Sequence, residues 1–393
     1  MKRRITILFF VIGLALVSMI GACVESFDLP VKKADVRFLV VDGFLNMAEG
    51  EVNIKLLRAG LINESNLPFE AGAVVSLEDA EGNLYLLTEQ DSGRYQATAL
   101  SSEPGKQYKV HIKTSNGKEY QSAFVTLKAT PEIKELTWKA EADGTEIIVD
   151  TEDASGEARY YRWTFEETWE YHSRYTSWWR FTGIDVDTIE LDNVAPRAPW
   201  EMVKVCYRTE RSTKILTTTT AGLSTDIVNN FELQFLPQGT EKLGYRYSVL
   251  VKQVAISKDT YEYLEKLKKT SQDLGGLYAP QPAKVTGNVF SVTDPSEVVL
   301  GYFDVGQPVE KRVSIAREDL PAHLRQMDEL SVFCKIDTVV IKYLDLLEAS
   351  GDYTLLESFA DKDGFPVAFT YSTNECADCR LRGGVTLKPD FWP

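Results

Sequence analysis

From Asp35 to Lys128 apolar and polar residues alternate in short runs broken by turn signals. Val36–Val41, Val52–Leu57, Ala73–Leu77, Leu84–Thr88, Tyr95–Ala99, Tyr108–Lys113 and Tyr120–Leu127 are each of strand length. Between them stand turn-formers such as Asp79-Ala-Glu-Gly82-Asn83, Asp91-Ser-Gly93 and Ser115-Asn116-Gly117. Seven short strands at this spacing predict an immunoglobulin-like β-sandwich over residues 35–129, in architecture only, since no Cys-Trp-Cys core is present. Thr130-Pro131 marks the start of a larger β-rich domain, residues 130–393, in which Ile133–Trp138, Glu146–Val149, Met202–Tyr207, Thr213–Thr218, Phe231–Leu236, Gly244–Ile256, Thr286–Val292, Val298–Val305 and Val309–Ala316 read as strands. In 159–172 the odd positions are Tyr161, Trp163, Phe165, Glu167, Trp169 and Tyr171, and the even ones Arg162, Thr164, Glu166, Thr168, Glu170 and His172. That is period-two amphipathicity, and its aromatic side is expected to be a core face rather than a carbohydrate platform. In Gly244–Ile256 the apolar parity changes between Val251 and Val254, which predicts a bulge near Lys252-Gln253. Asp259-Thr-Tyr-Glu262 has capping-box spacing and opens a helix with Tyr263, Leu264, Leu267 and Leu274 on its apolar stripe, ended by Gly275-Gly276. The expected fold class is therefore mainly β: an N-terminal immunoglobulin-like β-sandwich followed by a larger β-rich domain with one or two helices.

The first residues follow a different pattern. Lys2, Arg3 and Arg4 precede an uncharged apolar run, Ile5–Ile20, which closes on Gly21-Ala22-Cys23. A positive head, a short apolar core and small residues before a cleavage point mark a signal peptide, residues 1–22. The run is shorter than the roughly 18–20 residues that a spanning helix needs. A Cys directly after the small residues resembles the lipobox of bacterial lipoproteins, which implies that Cys23 is acylated and becomes the first residue, with 23–34 as tether. The formal charge is −15 with the signal's three cations counted, so the mature chain carries −18. A body that acidic will not hold nucleic acid through its phosphates, and membrane attachment must come from the lipid.

After Cys23, the cysteines Cys206, Cys334, Cys376 and Cys379 form an even set in an exported chain, so two structural disulfides are expected. Four cysteines allow three connectivities; the short separation leans towards Cys376–Cys379 with Cys206–Cys334, in a strained geometry. The Cys376-Ala-Asp-Cys379 spacing also fits redox or zinc chemistry, but it lacks a helix after a βαβ pattern and has no His or second CxxC nearby. His111 reads as a packed strand residue, and Asp361-Lys-Asp363-Gly364 as a turn rather than the start of a calcium loop. No nucleophile elbow, HExxH or phosphate-binding glycine loop occurs, and no cofactor is expected. A glycosidase carboxylate pair could still stand at any sequence separation. In Trp178-Trp179 adjacent residues face opposite ways, so one of the pair is a candidate exposed contact for a partner or ligand.

Several stretches carry a family resemblance: Val205-Cys-Tyr-Arg-Thr-Glu210, Gln281–Val292 with Gly287-Asn288, Pro295–Val298, Leu300-Gly-Tyr-Phe303, and the tail Glu375–Gly384 with Lys388–Trp392. Together they resemble the domain-of-unknown-function 4249 family of Bacteroidota lipoproteins. The resemblance implies an outer-membrane lipoprotein encoded beside TonB-dependent transporters, with no assigned reaction. The function expected is thus a non-catalytic accessory or ligand-capturing partner of a TonB-dependent β-barrel transporter, taking a glycan or peptide ligand. The alternatives are an envelope hydrolase acting on polysaccharide or peptide, and an adhesin or envelope scaffold. The mildly acidic Val24-Glu-Ser-Phe-Asp28 leaves the leaflet face, periplasmic or exterior, open.

Overall fold

Strands β1 (Phe38–Asn46), β2 (Glu51–Ala59), β3 (Val74–Asp79), β4 (Leu84–Leu86), β5 (Thr88–Asp91), β6 (Arg94–Ala97), β7 (Gln107–Lys113), β8 (Glu119–Ser122) and β9 (Val125–Thr126) form the N-terminal region. They fall into two sheets, β1-β2-β6-β5 and β8-β7-β3-β4 with β9 on β7. Alternation decides the facing: Leu39, Val41 and Leu45 of β1, Ile54 and Leu56 of β2, Val75 and Leu77 of β3, and Val110 and Ile112 of β7 share one core between the sheets. The expected mainly β fold with an N-terminal sandwich is what the chain adopts. The structure, a computed structural model, describes residues 37–59, 68–100, 104–183, 193–272, 285–325 and 334–393. The signal peptide, the tether with Cys23 and the helix end at Gly275-Gly276 lie outside these residues.

A second pair of sheets follows. Strands β10 (Ile133–Ala140), β11 (Gly144–Glu152), β12 (Tyr160–His172), β13 (Trp179–Phe181), β14 (Val194–Pro196), β15 (Val205–Arg211), β16 (Leu216–Thr219), β17 (Ile227–Pro237) and β18 (Arg246–Ala255) precede helix α1 (Lys258–Gln272). After it come β19 (Val289–Ser291), β20 (Val299–Gly306) and β21 (Val309–Ala316). Sheet β10-β11-β17 packs on sheet β15-β12-β18-β21, with β16 also on β12. Every odd residue of β12 from Tyr161 to Tyr171 is buried, as the period-two pattern requires. Trp163 is fully enclosed, its ring stacked 4.5 Å from Phe231 and its Nε1 donating to Gln253 Oε1 at 2.9 Å. Truncating such a residue to Ala typically costs about 3–5 kcal/mol. Among the odd residues Glu167 is polar and still buried, because Lys242 Nζ (2.6 Å) and the Tyr247 hydroxyl (3.0 Å) donate to its two oxygens.

Two expectations are corrected here. The strand pairing of β18 runs without a register shift through Lys252-Gln253, so the expected bulge is absent there. Gln253 keeps the core-facing parity and is satisfied by Trp163, Pro131 O and Thr151 Oγ1, which leaves Val254 and Ile256 on the opposite, also buried, face. Nor do residues 35–129 hold all strands of the first sandwich: β20 pairs in parallel with β1, and β19 pairs antiparallel with β8. Val289, Val299, Phe303 and Val305 complete the first core. Phe38–Pro393 cluster as one unit. The return of the chain explains Gly287-Asn288. A Cβ at Gly287 would stand 1.4 Å from the Gly301 carbonyl oxygen, and the Asn288 amide donates to Phe303 O (2.8 Å) while accepting from Phe303 N (2.9 Å).

The C-terminal part forms a small sheet, β22 (Asp337–Val340), β24 (Pro366–Thr373) and β23 (Tyr353–Ala360) in that spatial order, with α2 (Leu344–Ser350) and α3 (Asn374–Ala377). Val339, Leu355 and Phe369 share its core with Val194 of the β13–β14 hairpin and with Leu344. Asp361-Lys-Asp363-Gly364 is the turn between β23 and β24, its Asp361 Oδ1 accepting from the Asp363 and Phe365 N–H groups.

Candidate functional site

The faces of β1 and β20 that point away from the first core, and those of β12 and β18 that point away from the second, meet α1 around a cavity of about 620 Å³. Alternation selects the lining: Val40, Asp42, Phe44 and Asn46 from β1, Tyr302 and Asp304 from β20, Arg162 and Thr164 from β12, Lys252 and Val254 from β18. Leu264 and Leu267 of α1, with Ile215, Ile256 and Pro308, make the rest mainly apolar. A concave apolar site of this size with a few convergent polar groups is the usual form of a small-molecule site.

Asp304 is 5% exposed. Its Oδ1 lies 3.2 Å from the Thr260 hydroxyl, and its Oδ2 has no hydrogen-bond partner among the described residues. Burial pushes its pKa up; the Arg162 charge opposes this, followed by the Val305 N–H and Thr260. Thr260 is held by the start of α1. Ser257 caps that helix, its Oγ accepting from the Thr260 N–H at 3.1 Å, and the helix opens at Lys258, ahead of the Asp259 expected from the capping-box spacing. The Thr260 hydroxyl also lies 3.3 Å from Tyr302 Oη, so its one proton can serve only one of Tyr302 and Asp304 at a time.

Arg162, half-buried, makes no ion pair or side-chain hydrogen bond among the described residues. Lys252 is different: it pairs with Glu310 at 2.5 Å. The Tyr263 and Tyr302 rings stack at 4.7 Å, and burial raises both phenols. Asp42 is exposed at the edge. The arrangement can therefore hold an apolar body and present one cation and one buried carboxyl to a polar head.

The residues singled out from sequence stand elsewhere. Cys23 lies outside the described residues. The four remaining cysteines form two disulfides, Cys206–Cys379 and Cys334–Cys376, with Cα–Cα separations of 5.8 and 5.7 Å. This corrects the leaning towards Cys376–Cys379 with Cys206–Cys334. Cys376 sits in α3 and Cys379 opens the following turn, so the two point to different partners. The Cys379 N–H donates to Val203 O beside β15, and Tyr175 joins Cys376 O and Cys334 O through its N–H and hydroxyl. Trp178 is 51% exposed, whereas Trp179 is partly buried edge-on against Phe369. Trp200, missed by the sequence reading, is 85% exposed, three residues past Arg197, whose N–H donates to Trp178 O. His111 Nε2 lies 2.5 Å from Glu78 Oε2 on the first sandwich. No group of three metal-ligating side chains stands together among the described residues. The tail is clamped on β12: the Tyr171 hydroxyl donates to Cys379 O (2.8 Å), Trp392 Nε1 to Glu170 (3.2 Å), and Arg382 pairs with Glu241.

Asp304 and Arg162 carried signals that the sequence reading did not use. Asp304 is the one charge in the apolar run Val298–Val305, next to Leu300–Phe303. Arg162 stands on the polar side of β12 opposite Val254, an apolar residue on the outward side of β18.

The molecule is thus a two-sandwich β-protein with a small-molecule-sized cavity between the sandwiches. Residues 24–312 match the family model described as a domain of unknown function, DUF4249, and the chain belongs to that family. Asp304, Arg162 and the Gly287-Asn288 clasp fall inside the match, the tail motif beyond it. No curated protein matches the chain. Among solved structures, a chitinase from Bacillus thuringiensis is similar at 11% identity over 49% of this chain and 30% of the chitinase, with a TM-score of 0.16. The chain thus spans under a third of that chitinase's length. The structure titled as manganese lipoxygenase of Gaeumannomyces graminis and partial zonadhesin of Komagataella pastoris is similar at 10% identity over 72% of this chain and 97% of that one, with a TM-score of 0.18. Likenesses at these scores carry no argument.

Proposed function

We propose that the chain is a non-catalytic lipoprotein of the outer membrane, held by acylated Cys23, which captures a small ligand in the cavity between its sandwiches for a TonB-dependent transporter. The observation that carries the capture is a buried carboxyl oxygen and an arginine, neither with a hydrogen-bond or ion-pair partner among the described residues, lining one apolar-walled cavity. A buried polar group left unpaired costs about 1–3 kcal/mol, which a bound ligand can offset. The membrane part is supported by the Lys2–Cys23 pattern, and the transporter part by the family resemblance. Trp178, the exposed member of its pair, is the candidate partner contact in the second domain, residues 130–393.

Protein purified from its own membranes should carry a bound small molecule in native mass spectra, with the acyl mass on Cys23. Leu267→Trp, which fills the cavity, should remove the ligand. A mature N-terminus elsewhere without acyl mass would end the lipoprotein reading. A β-barrel transporter should co-purify after cross-linking, and Trp178→Ala should weaken that contact by about 2 kcal/mol, roughly thirtyfold. If no barrel is ever recovered, the accessory role falls.

A hydrolase reading draws on one observation. Asp42 and Asp304 both line the cavity from paired strands, Asp42 opposite Tyr302 and Asp304 two residues on, one exposed and one buried. Turnover of a glycan or peptide that is abolished by Asp42→Asn would replace capture with catalysis.

A further inference from the structure

Resting on the capture reading, we propose that the cavity takes an amphipathic carboxylic acid, its carboxylate on Arg162 and Asp304 and its apolar body between Phe44, Val254, Ile256 and Leu267. The charges around the cavity argue for this head group. Lys252 is compensated by Glu310. Asp42 is exposed to solvent. Burial favours the protonated form of Asp304. The uncompensated charge within the cavity is therefore that of Arg162. Its planar guanidinium matches a carboxylate with two parallel hydrogen bonds. A protonated Asp304 would have an O–H to donate to the same carboxylate, and that donation would give Oδ2 the partner it lacks among the described residues. An amine head would place a second cation against Arg162. A neutral head would leave Arg162 without a counter-charge in a mainly apolar enclosure.

The aliphatic face has its own origin. Val254 and Ile256 turn to the cavity because Gln253 holds the core-facing parity of β18. Leu264 and Leu267 come from the stripe of α1. Stacked aromatic surface is limited, among the described residues, to the Tyr263–Tyr302 pair, with Phe44 also lining the cavity. A chain-like apolar body fits these walls better than a flat polar one, and this narrows the expected glycan or peptide ligand to a more apolar class.

The test uses the full chain carrying Cys23→Ser, so that no detergent competes, and calorimetric titration with decanoate, decylamine and decanol below their micelle concentrations. Decanoate should bind at least about tenfold tighter than decanol, and decylamine more weakly than either. Arg162→Met should weaken decanoate by about 10–150-fold, the range for a hydrogen bond to a charged group, while decanol binding is unchanged and so reports an intact cavity. Asp304→Asn, whose amide still donates, should hold decanoate within about threefold of wild type, and Asp304→Leu should lose it. Tighter binding of decylamine or decanol than of decanoate overturns the head-group assignment and leaves the capture reading standing. Binding of decanoate that Arg162→Met does not weaken overturns it likewise. If none of the three binds, and protein from its own membranes carries no small molecule, both fall together.

Discussion

Asp79 and Asp304 are equally shielded from solvent, 4% and 5% exposed, and their surroundings push them in opposite directions. Asp79 is covered by its own turn at the end of β3. Burial raises its pKa, but hydrogen bonds from Asn83, Tyr85 and the Glu81 N–H outweigh it and hold the carboxyl below its ordinary value. Both its oxygens are engaged, Oδ1 by the Glu81 and Asn83 N–H groups and Oδ2 by Asn83 Nδ2 and the Tyr85 hydroxyl. Asp304 lies deep, with Thr260 at one oxygen and no partner at the other among the described residues, and burial holds it above its ordinary value. The difference separates two uses of a buried acid. A carboxylate whose every lone pair is engaged serves the fold, whereas one left half-engaged in a cavity serves something that enters it.

Of the variants at the two acids and Arg162, Asp79→Ala should have the largest effect on stability, about 2–4 kcal/mol by urea unfolding, because four donors lose their acceptor. A cost under about 0.5 kcal/mol would break the contrast at once. Asp304→Asn should do the opposite at neutral pH and raise stability by up to about 1 kcal/mol, since it removes a carboxyl that is costly to ionise in place.

The two acids also differ in the sign of their pH dependence. The folded pKa of Asp79 is depressed, so its contribution is complete above the unfolded carboxylate value and is lost as pH falls through the folded one. The folded pKa of Asp304 is raised, so above the unfolded value of about 3.9 the unfolded state releases its proton first and stability declines as pH rises. The benefit of Asp304→Asn should therefore vanish towards pH 3 and grow towards neutrality, measured as the difference between two urea series. A benefit that is constant with pH would contradict the assignment. Arg162→Met should be the smallest, within about 0.5 kcal/mol in the ligand-free protein, because Arg162 makes no ion pair or side-chain hydrogen bond among the described residues.

The sequence reached the first kind of residue far better than the second. The odd positions of 161–171 were legible as a core face because a strand's two-residue period survives any tertiary context. The turn at Asp79–Asn83 was legible from composition for the same local reason. The cavity is built from long-range pairings that leave little local trace. The parallel pairing of β20 with β1 brings Asp304 beside Phe44 across some 260 residues of chain. The parity change at Gln253 was visible, but a bulge and a strand buried on both faces produce the same pattern until the partners of Gln253 are known. Disulfide pairing failed likewise: the short Cys376–Cys379 separation favoured a bridge that the intervening turn at Asp378 directs elsewhere.

The most direct test of the central claim, that the half-engaged Asp304 marks a ligand site shared with Arg162, is a crystal structure of the Cys23→Ser chain grown with decanoate. The account predicts the decanoate carboxylate within hydrogen-bond distance of both the Arg162 guanidinium and Asp304 Oδ2, with its chain along Val254, Ile256 and Leu267. Decanoate bound elsewhere, or an Asp304–Arg162 ion pair closing the cavity in crystals saturated with it, would contradict the account.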